Sequence, residues 1–226
     1  MSVLHVYEKH EKELVCKNVS TITVVVKGDE LQVVPIDEAV QRAKTDREFR
    51  RAMKYPEDLE RQVNDFLAHS LNVVRQHCLD RLLILNPTLT IKSFHDLIGS
   101  LSNKIRRSFL ELAKNCYWHG NFGEARSPIR IEMAIQGHTG ETDDRIVMNF
   151  SDCGTGIKDE EATAEGGYGR AIVQKSMDLV HDYVLDPPDG VFRFTVVTSR
   201  NLLRDMLIKP EVTVPVGGET PEAAGS

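Results

Sequence analysis

Long apolar runs are missing from this 226-residue sequence: none approaches the roughly 20 consecutive residues a membrane-spanning helix needs. The N-terminus, M-S-V-L-H-V-Y-E-K-H, has no basic stretch followed by an apolar one, so no secretory signal is visible and a cytoplasmic location is expected. Cysteine is sparse and scattered. Cys16, Cys78, Cys116 and Cys153 form no C-x-x-C pair and have no histidine at ligand spacing, so they read as reduced thiols, not as a disulfide frame or a zinc site. An excess of positive charge is also absent, and the net charge of −6 argues against nucleic acid as a partner. The local exception is Arg42, Lys44, Arg47, Arg50, Arg51 and Lys54, interspersed with Asp46 and Glu48. That run reads as a solvated helix face or as a docking patch for an acidic partner. Internal repeats are lacking.

What remains is ordinary for a soluble globular chain, with 41% hydrophobic and 27% charged residues. The length suits one medium-sized domain with attachments. Ser20 to Lys27 and Leu31 to Val34 read as two short strands joined across Gly28-Asp29. A helix is expected from about Asp37, its candidate cap, to Met53, where Tyr55-Pro56 breaks it. Glu57 to Leu85 carries apolar residues at helical spacing up to Asn86-Pro87, and a long helix follows, with Ser93 as candidate cap. Ile129 to Gln136 alternates as a half-buried strand, and Ile146 to Phe150 returns beside it. Arg170 to about Val184 is expected as a helix, and Val191 to Thr198 as a final strand. The end, from 206 to 226, has too little apolar surface to hold a fold and reads as a mobile tail.

The chain is organised around F-L-E-L-A-K-N-C-Y-W-H-G-N-F, Phe109 to Phe122. Leu101, Ile105, Phe109, Leu112 and Cys116 share one helix face. Glu111 and Asn115, four apart, flank that face, where they either line a pocket or sit solvated near the helix end. Two downstream pieces bear on the choice. Asp152 ends a strand in D-C-G-T-G-I, where a carboxylate can accept from an exocyclic amine such as that of adenine, and glycines admit a flat ring. G-G-Y-G-R-A-I-V is a glycine turn opening a helix, whose free amides suit phosphates. An amide oxygen such as that of Asn115 suits Mg²⁺ bridging phosphates, and Glu111 can orient or deprotonate a nucleophile.

In that order the pieces resemble the nucleotide-binding domain of the GHKL ATPase superfamily, which includes gyrase, histidine kinases and anti-sigma-factor serine/threonine kinases. E-L-A-K-N is similar to its N box, and D-C-G-T-G-I and G-G-Y-G-R-A-I-V to its two glycine boxes. The resemblance covers about Pro56 to Arg200 and is nearest to the anti-sigma branch. It implies an α/β two-layer sandwich of Bergerat type, with helices on one face of a mixed, mainly antiparallel sheet. It divides the chain into an N-terminal extension (1–55), an ATP-binding domain (56–205) and the tail (206–226). By resemblance the cofactors are ATP and Mg²⁺, Glu111 is the catalytic base and Asn115 holds the metal. Asp152 binds adenine, while Gly154, Gly156, Ile157, Gly167, Tyr168 and Gly169 shape the pocket. The implied activity is phosphorylation or sequestration of a partner protein, a sigma factor or its antagonist, with no nucleic acid or membrane as partner. The alternatives are a nucleotide-gated binding module without phosphotransfer, or the catalytic half of a histidine-kinase-like phosphorelay. His69, in F-L-A-H-S-L-N, is the residue the last would use. The strands of the N-terminal extension are expected to extend the sheet or to pair with another copy in a homodimer. The charged loop from Lys158 to Gly166 is expected to act as a lid over the phosphates. Arg170 stands where the family has an apolar residue; it reaches a phosphate, pairs with Asp159, Glu160 or Glu161, or points outward.

Overall fold

Alternation builds the sheet. In β4 (Ile129–His138), Ile129, Ile131, Met133 and Ile135 are buried, while Arg130, Glu132 and Gln136 between them are only partly so. β5 (Arg145–Asp152) repeats the pattern with Ile146, Met148 and Phe150. Register sets Ile131 opposite Phe150, Met133 opposite Met148 and Ile135 opposite Ile146, which makes one continuous apolar face. β7 (Phe192–Asn201) continues it, with Val196 opposite Phe150. The computed structural model describes residues 4–15, 19–26, 28–85, 90–121, 126–138, 143–154 and 168–204. The expected tail and lid, and Cys16, lie outside them.

Two strands depart from the sequence reading. β6 (Leu179–Asp189) replaces the second half of the helix expected to run to Val184. The helix there stops at Ser176, and Asp178 ties off the chain by accepting from the Asn201 N–H at 2.7 Å and from Arg204 at 2.8 Å. Leu179 to Val184 is rich in residues that suit a pleated strand, and β7 offers it an antiparallel ladder, so tertiary pairing overrides the apparent helical spacing. The other is β1 (Leu4–Leu14), which pairs antiparallel along β4 from Leu4 opposite His138 to Leu14 opposite Ile129. It is an edge strand, exposed at nearly every position except Leu14, and so carries no hydrophobic alternation to read. The five strands run in the order β1-β4-β5-β7-β6, and every described pairing is antiparallel, in keeping with the mainly antiparallel sheet expected.

Between β1 and the helices, β2 (Thr21–Val25) and β3 (Leu31–Pro35) form a separate two-stranded sheet, turned through Gly28 and Asp29, both at positive φ. The helix expected from Asp37 to Met53 is two: α1 (Ile36–Thr45) and α2 (Arg47–Ala52). Asp46 interrupts them because its side chain accepts the Phe49 N–H at 2.9 Å and starts α2 afresh. Asp37 is not a cap; Pro35 occupies that position and Asp37 sits in the first turn. In the basic run, Arg42 pairs with Asp46 and lies 4.1 Å over the Phe49 ring, so part of that charge is spent within the chain. α3 (Glu57–Leu85) runs as expected. α4 (Ile91–Asn115) is capped by Thr90 in place of Ser93: the Thr90 hydroxyl accepts the Ser93 N–H at 3.1 Å.

α3 and α4 cover the apolar face. Phe66 of α3 stacks on Phe109 of α4 at 5.9 Å, and Phe109 meets Phe150 of β5 edge-on at 5.1 Å, so one aromatic line crosses both layers. Each such ring stabilises by about 1.5–3 kcal/mol through burial. Farther along α3, His77 and Arg81 both donate to the fully buried Asp144 carboxylate, at 2.8 and 2.7 Å, and pin the helix to the start of β5. The opposite face of the sheet is a polar lattice: Asn149 donates to Glu132 at 2.8 Å and Ser151 to Thr195 at 2.9 Å. The architecture is therefore two-layer α/β. Among the described residues no helix is long and apolar enough to cross a membrane.

Candidate functional site

α4 delivers the first part of the site. Leu101, Ile105, Phe109, Leu112 and Cys116 are buried, and Glu111 and Asn115 are half-buried at the rim of that face. After Asn115 the helix widens into a π segment (Cys116–Gly120), closed by the Asn121 N–H on the Cys116 carbonyl at 2.8 Å. Single π turns inside helices often accompany functional sites. Here the extra residue keeps Tyr117 and Trp118 buried, while Gly120 comes up against the end of β5. Trp118 is packed edge-on to Tyr117 at 4.3 Å, and Tyr55 lies against both rings. His119 beside it is exposed.

Asp152 ends β5 with its carboxylate buried. One oxygen accepts the Gly154 N–H at 2.8 Å, and the Cys116 thiol also donates to the group. Burial raises the pKa of Asp152 to about 6, against the lowering effect of these two hydrogen bonds. The Cys116 thiol is itself pushed well up, first by burial and then by the Asp152 charge, so it remains a protonated donor. Cys78, Cys116 and Cys153 are all free thiols, as read from the sequence.

Two glycines make room for this carboxylate. A side chain on Gly120 would collide with it outright. A Cβ on Gly154 would lie 2.7 Å from the Gly120 carbonyl oxygen and 2.9 Å from Asp152 Oδ1. Asn121 locks the same corner: its Oδ1 accepts the Cys153 N–H at 3.0 Å, and its amide donates to the carbonyls of Ser127 and Pro128. Gly120 and Asn121 were legible only as the exit from a helix. H-G-N is the signal, since a glycine followed by a short amide is what a tight, side-chain-bonded corner needs.

The third piece arrives with α5 (Tyr168–Ser176). A Cβ on Gly169 would lie 2.6 Å from Glu111 Oε2 and 3.9 Å from Asn115 Oδ1. The first turn of α5 is thus laid against the Glu111–Asn115 pair, and the structure brings Glu111, Asn115 and Gly169 together at one place and Asp152, Gly154 and Gly120 together at another. Cys116 joins the two, following Asn115 in the chain and bonding to Asp152. Arg170 pairs with Asp182 of β6 at 2.7 Å, an outcome none of the sequence readings named. Gly156, Ile157 and Gly167 lie outside the described residues, and of Tyr168 only the backbone is described. His69 faces His10 of β1, their Nε2 atoms 3.2 Å apart.

Whether these residues suit a nucleotide and a metal rests on the donor set. Among the described residues no cluster of three histidine, cysteine or acidic side chains could hold a metal ion. A single amide oxygen, Asn115 Oδ1, fits a magnesium ion that keeps water and phosphate oxygens as its other ligands, and does not fit a dedicated protein cage. At Gly120, Gly154 and Gly169 the place a Cβ would take is filled by the Asp152 carboxylate, the Gly120 backbone and the Glu111 carboxylate respectively. No protein-family model matches the chain, and no curated protein matches it.

Proposed function

We propose that this chain binds ATP with Mg²⁺ in a Bergerat-type fold and acts as a regulatory kinase on a serine or threonine of a partner protein, a sigma factor or its antagonist. The observation that carries the reading is the meeting of Gly169 with Glu111 and Asn115, in a fold that also buries Asp152 between two obligatory glycines. Three segments far apart in sequence supply an adenine acceptor, a metal-ligating amide with a carboxylate base, and a helix start suited to phosphates.

The roles follow from chemistry. Asp152 accepts from the adenine amine, and Gly154 lets the ring approach the backbone. The amides at the start of α5 receive phosphate oxygens. Asn115 would hold Mg²⁺, which neutralises phosphate charge when bound. Glu111 orients the attacking hydroxyl and takes its proton.

Two substitutions test this because they fail differently. Asn115→Ala loses Mg²⁺-dependent nucleotide affinity and turnover together. Glu111→Gln keeps shape and polarity, binds ATP nearly as wild type does, and transfers phosphate more slowly by roughly 10²–10⁴-fold. Calorimetry with Mg-ATP and release or transfer of labelled phosphate are the readouts. A wild-type protein that binds no adenine nucleotide overturns the proposal. One that binds ATP and captures a partner, yet transfers no label and behaves as Glu111→Gln does, is a nucleotide-gated binding module.

A further inference from the structure

β1 runs for eleven residues, about twice the usual length of a strand, at the edge of the five-stranded sheet. β4 pairs along one side of it, and among the described residues no strand lies along the other. The backbone groups on that side are a template for a further strand. Natural edges are kept from pairing by being short, by proline, or by charges that repel a newcomer. β1 contains no proline, and its one register shift, between Val6 and Glu8, leaves the run from Glu8 to Lys12 regular. The helices do not roof that run. Glu8 and Lys12 lie opposite the buried Ile135 and Ile131, on the face toward α3, yet both are exposed.

Charge decides the partner. Glu8-Lys9-His10-Glu11-Lys12 carries opposite signs at positions equally far from His10. Set antiparallel to a second copy about an axis through His10, the strand puts Glu8 opposite Lys12 and Lys9 opposite Glu11. Directly opposed residues share a face of the sheet. Glu8, His10 and Lys12 share the face toward the helices, where His10 meets His69 of α3. Lys9 and Glu11 are on the other face, 3.5 Å from Glu132 and 3.6 Å from Arg130, and their side chains stay 57% and 45% exposed. Complementarity therefore holds on both faces at once. Sliding the register by one residue sets Glu8 against Glu11 or Lys9 against Lys12. Sliding it by two sets Lys9 or Glu11 against its own copy, and a parallel alignment in register does so for every charge. Like charges directly opposed are destabilising, so the pattern favours one alignment and rejects its neighbours. We propose that β1 is the docking edge for a second copy of this chain, paired antiparallel about His10 and joining the two five-stranded sheets into one. The same patch serves both copies, so the assembly closes at two. It needs no nucleotide and stands apart from the ATP reading.

Sedimentation of the full-length chain tests this, over about 1–100 µM without nucleotide, in low salt where surface charges are screened least. Wild type should reach twice the 25.4 kDa mass of the chain. Lys9→Glu/Lys12→Glu leaves the run acidic, and Glu8→Lys/Glu11→Lys leaves it basic. Each variant alone should dimerise at least about tenfold more weakly than wild type, since every opposed pair now repels. Mixed in equal amounts, the two should recover a dimer at wild-type affinity or better, which also shows that both are folded. Hydrogen exchange in β1 of the wild type should slow as its concentration rises. A wild type that stays monomeric overturns the inference. So does a charge variant that dimerises alone as well as wild type, or a mixture of normally melting variants that forms no dimer. β1 amides protected equally at every concentration mean that part of the same chain covers the edge, and this too overturns it. None of these outcomes bears on nucleotide binding, which calorimetry with Mg-ATP reads separately.

Discussion

The Cα of Gly120 lies so close to the Asp152 carboxylate that a methyl group there would overlap the carboxylate carbon and both oxygens. The buried acceptor is shaped by a glycine more than thirty residues upstream, and the pair behaves as one feature. Gly120→Ala should therefore cost about 1–3 kcal/mol through overpacking and lower affinity for adenine nucleotides. Gly99, within α4, is the control: a Cβ there meets nothing within 4 Å. Gly99→Ala should stabilise by roughly 0.5–1 kcal/mol, the propensity difference between the two residues in a helix. Chemical denaturation of both variants reads the contrast; equal effects at the two positions would refute it.

Asp152 makes stability depend on pH. Its pKa is raised from 3.8 to about 6 by burial, so the folded protein holds a proton there that the unfolded chain has released. The contribution is fully present below 3.8 and is lost as pH rises through about 6. The difference is on the order of 3 kcal/mol for this group alone. Asp152→Asn should flatten that part of the profile, raise stability near pH 7.5, and weaken adenine nucleotides more than other triphosphates. Urea midpoints at pH 5 and pH 7.5 check the first two, and competition binding checks the third.

The chain has one tryptophan, and Trp118 stands in the π segment between Asn115 and Gly120. Its emission should change when Mg-ATP is added, and Asn115→Ala should remove the magnesium-dependent part of the change. A spectrum indifferent to saturating nucleotide would place binding elsewhere.

Away from the site, Asp144 is a buried carboxylate held by His77 and Arg81. Arg81→Met should cost about 1.5–3 kcal/mol, because it removes one hydrogen bond to a charged group. Nucleotide affinity measured well below the unfolding midpoint should be unchanged.

The sequence showed those parts of the fold where local pattern and tertiary environment agree. β4, β5, α3 and α4 have one apolar face each, and their periodicity is strong enough to read. β1 and β6 are edge strands, whose outward residues answer to solvent, and neither shows the alternation that would announce it. The break at Asp46 depends on one side chain bonding three residues ahead, a choice composition leaves open. Within the candidate site, Glu111, Asn115, Asp152 and the glycines were singled out by type and spacing. Gly120, Asn121 and Tyr55 were not, because their significance lies in what they touch across the fold.

The pairing of β1 with β4 sets an order of events during folding. Leu14 finds Ile129 and Leu4 finds His138, so the edge strand spans a loop of over a hundred residues before its ladder can form. Such closure is slow compared with the hairpin of β4 and β5 or the helices beside it. β1 should therefore be the last strand to join and the first to leave. In pulse-labelled hydrogen exchange, its amides would gain protection after those of β5, and under mild denaturant they would lose it first.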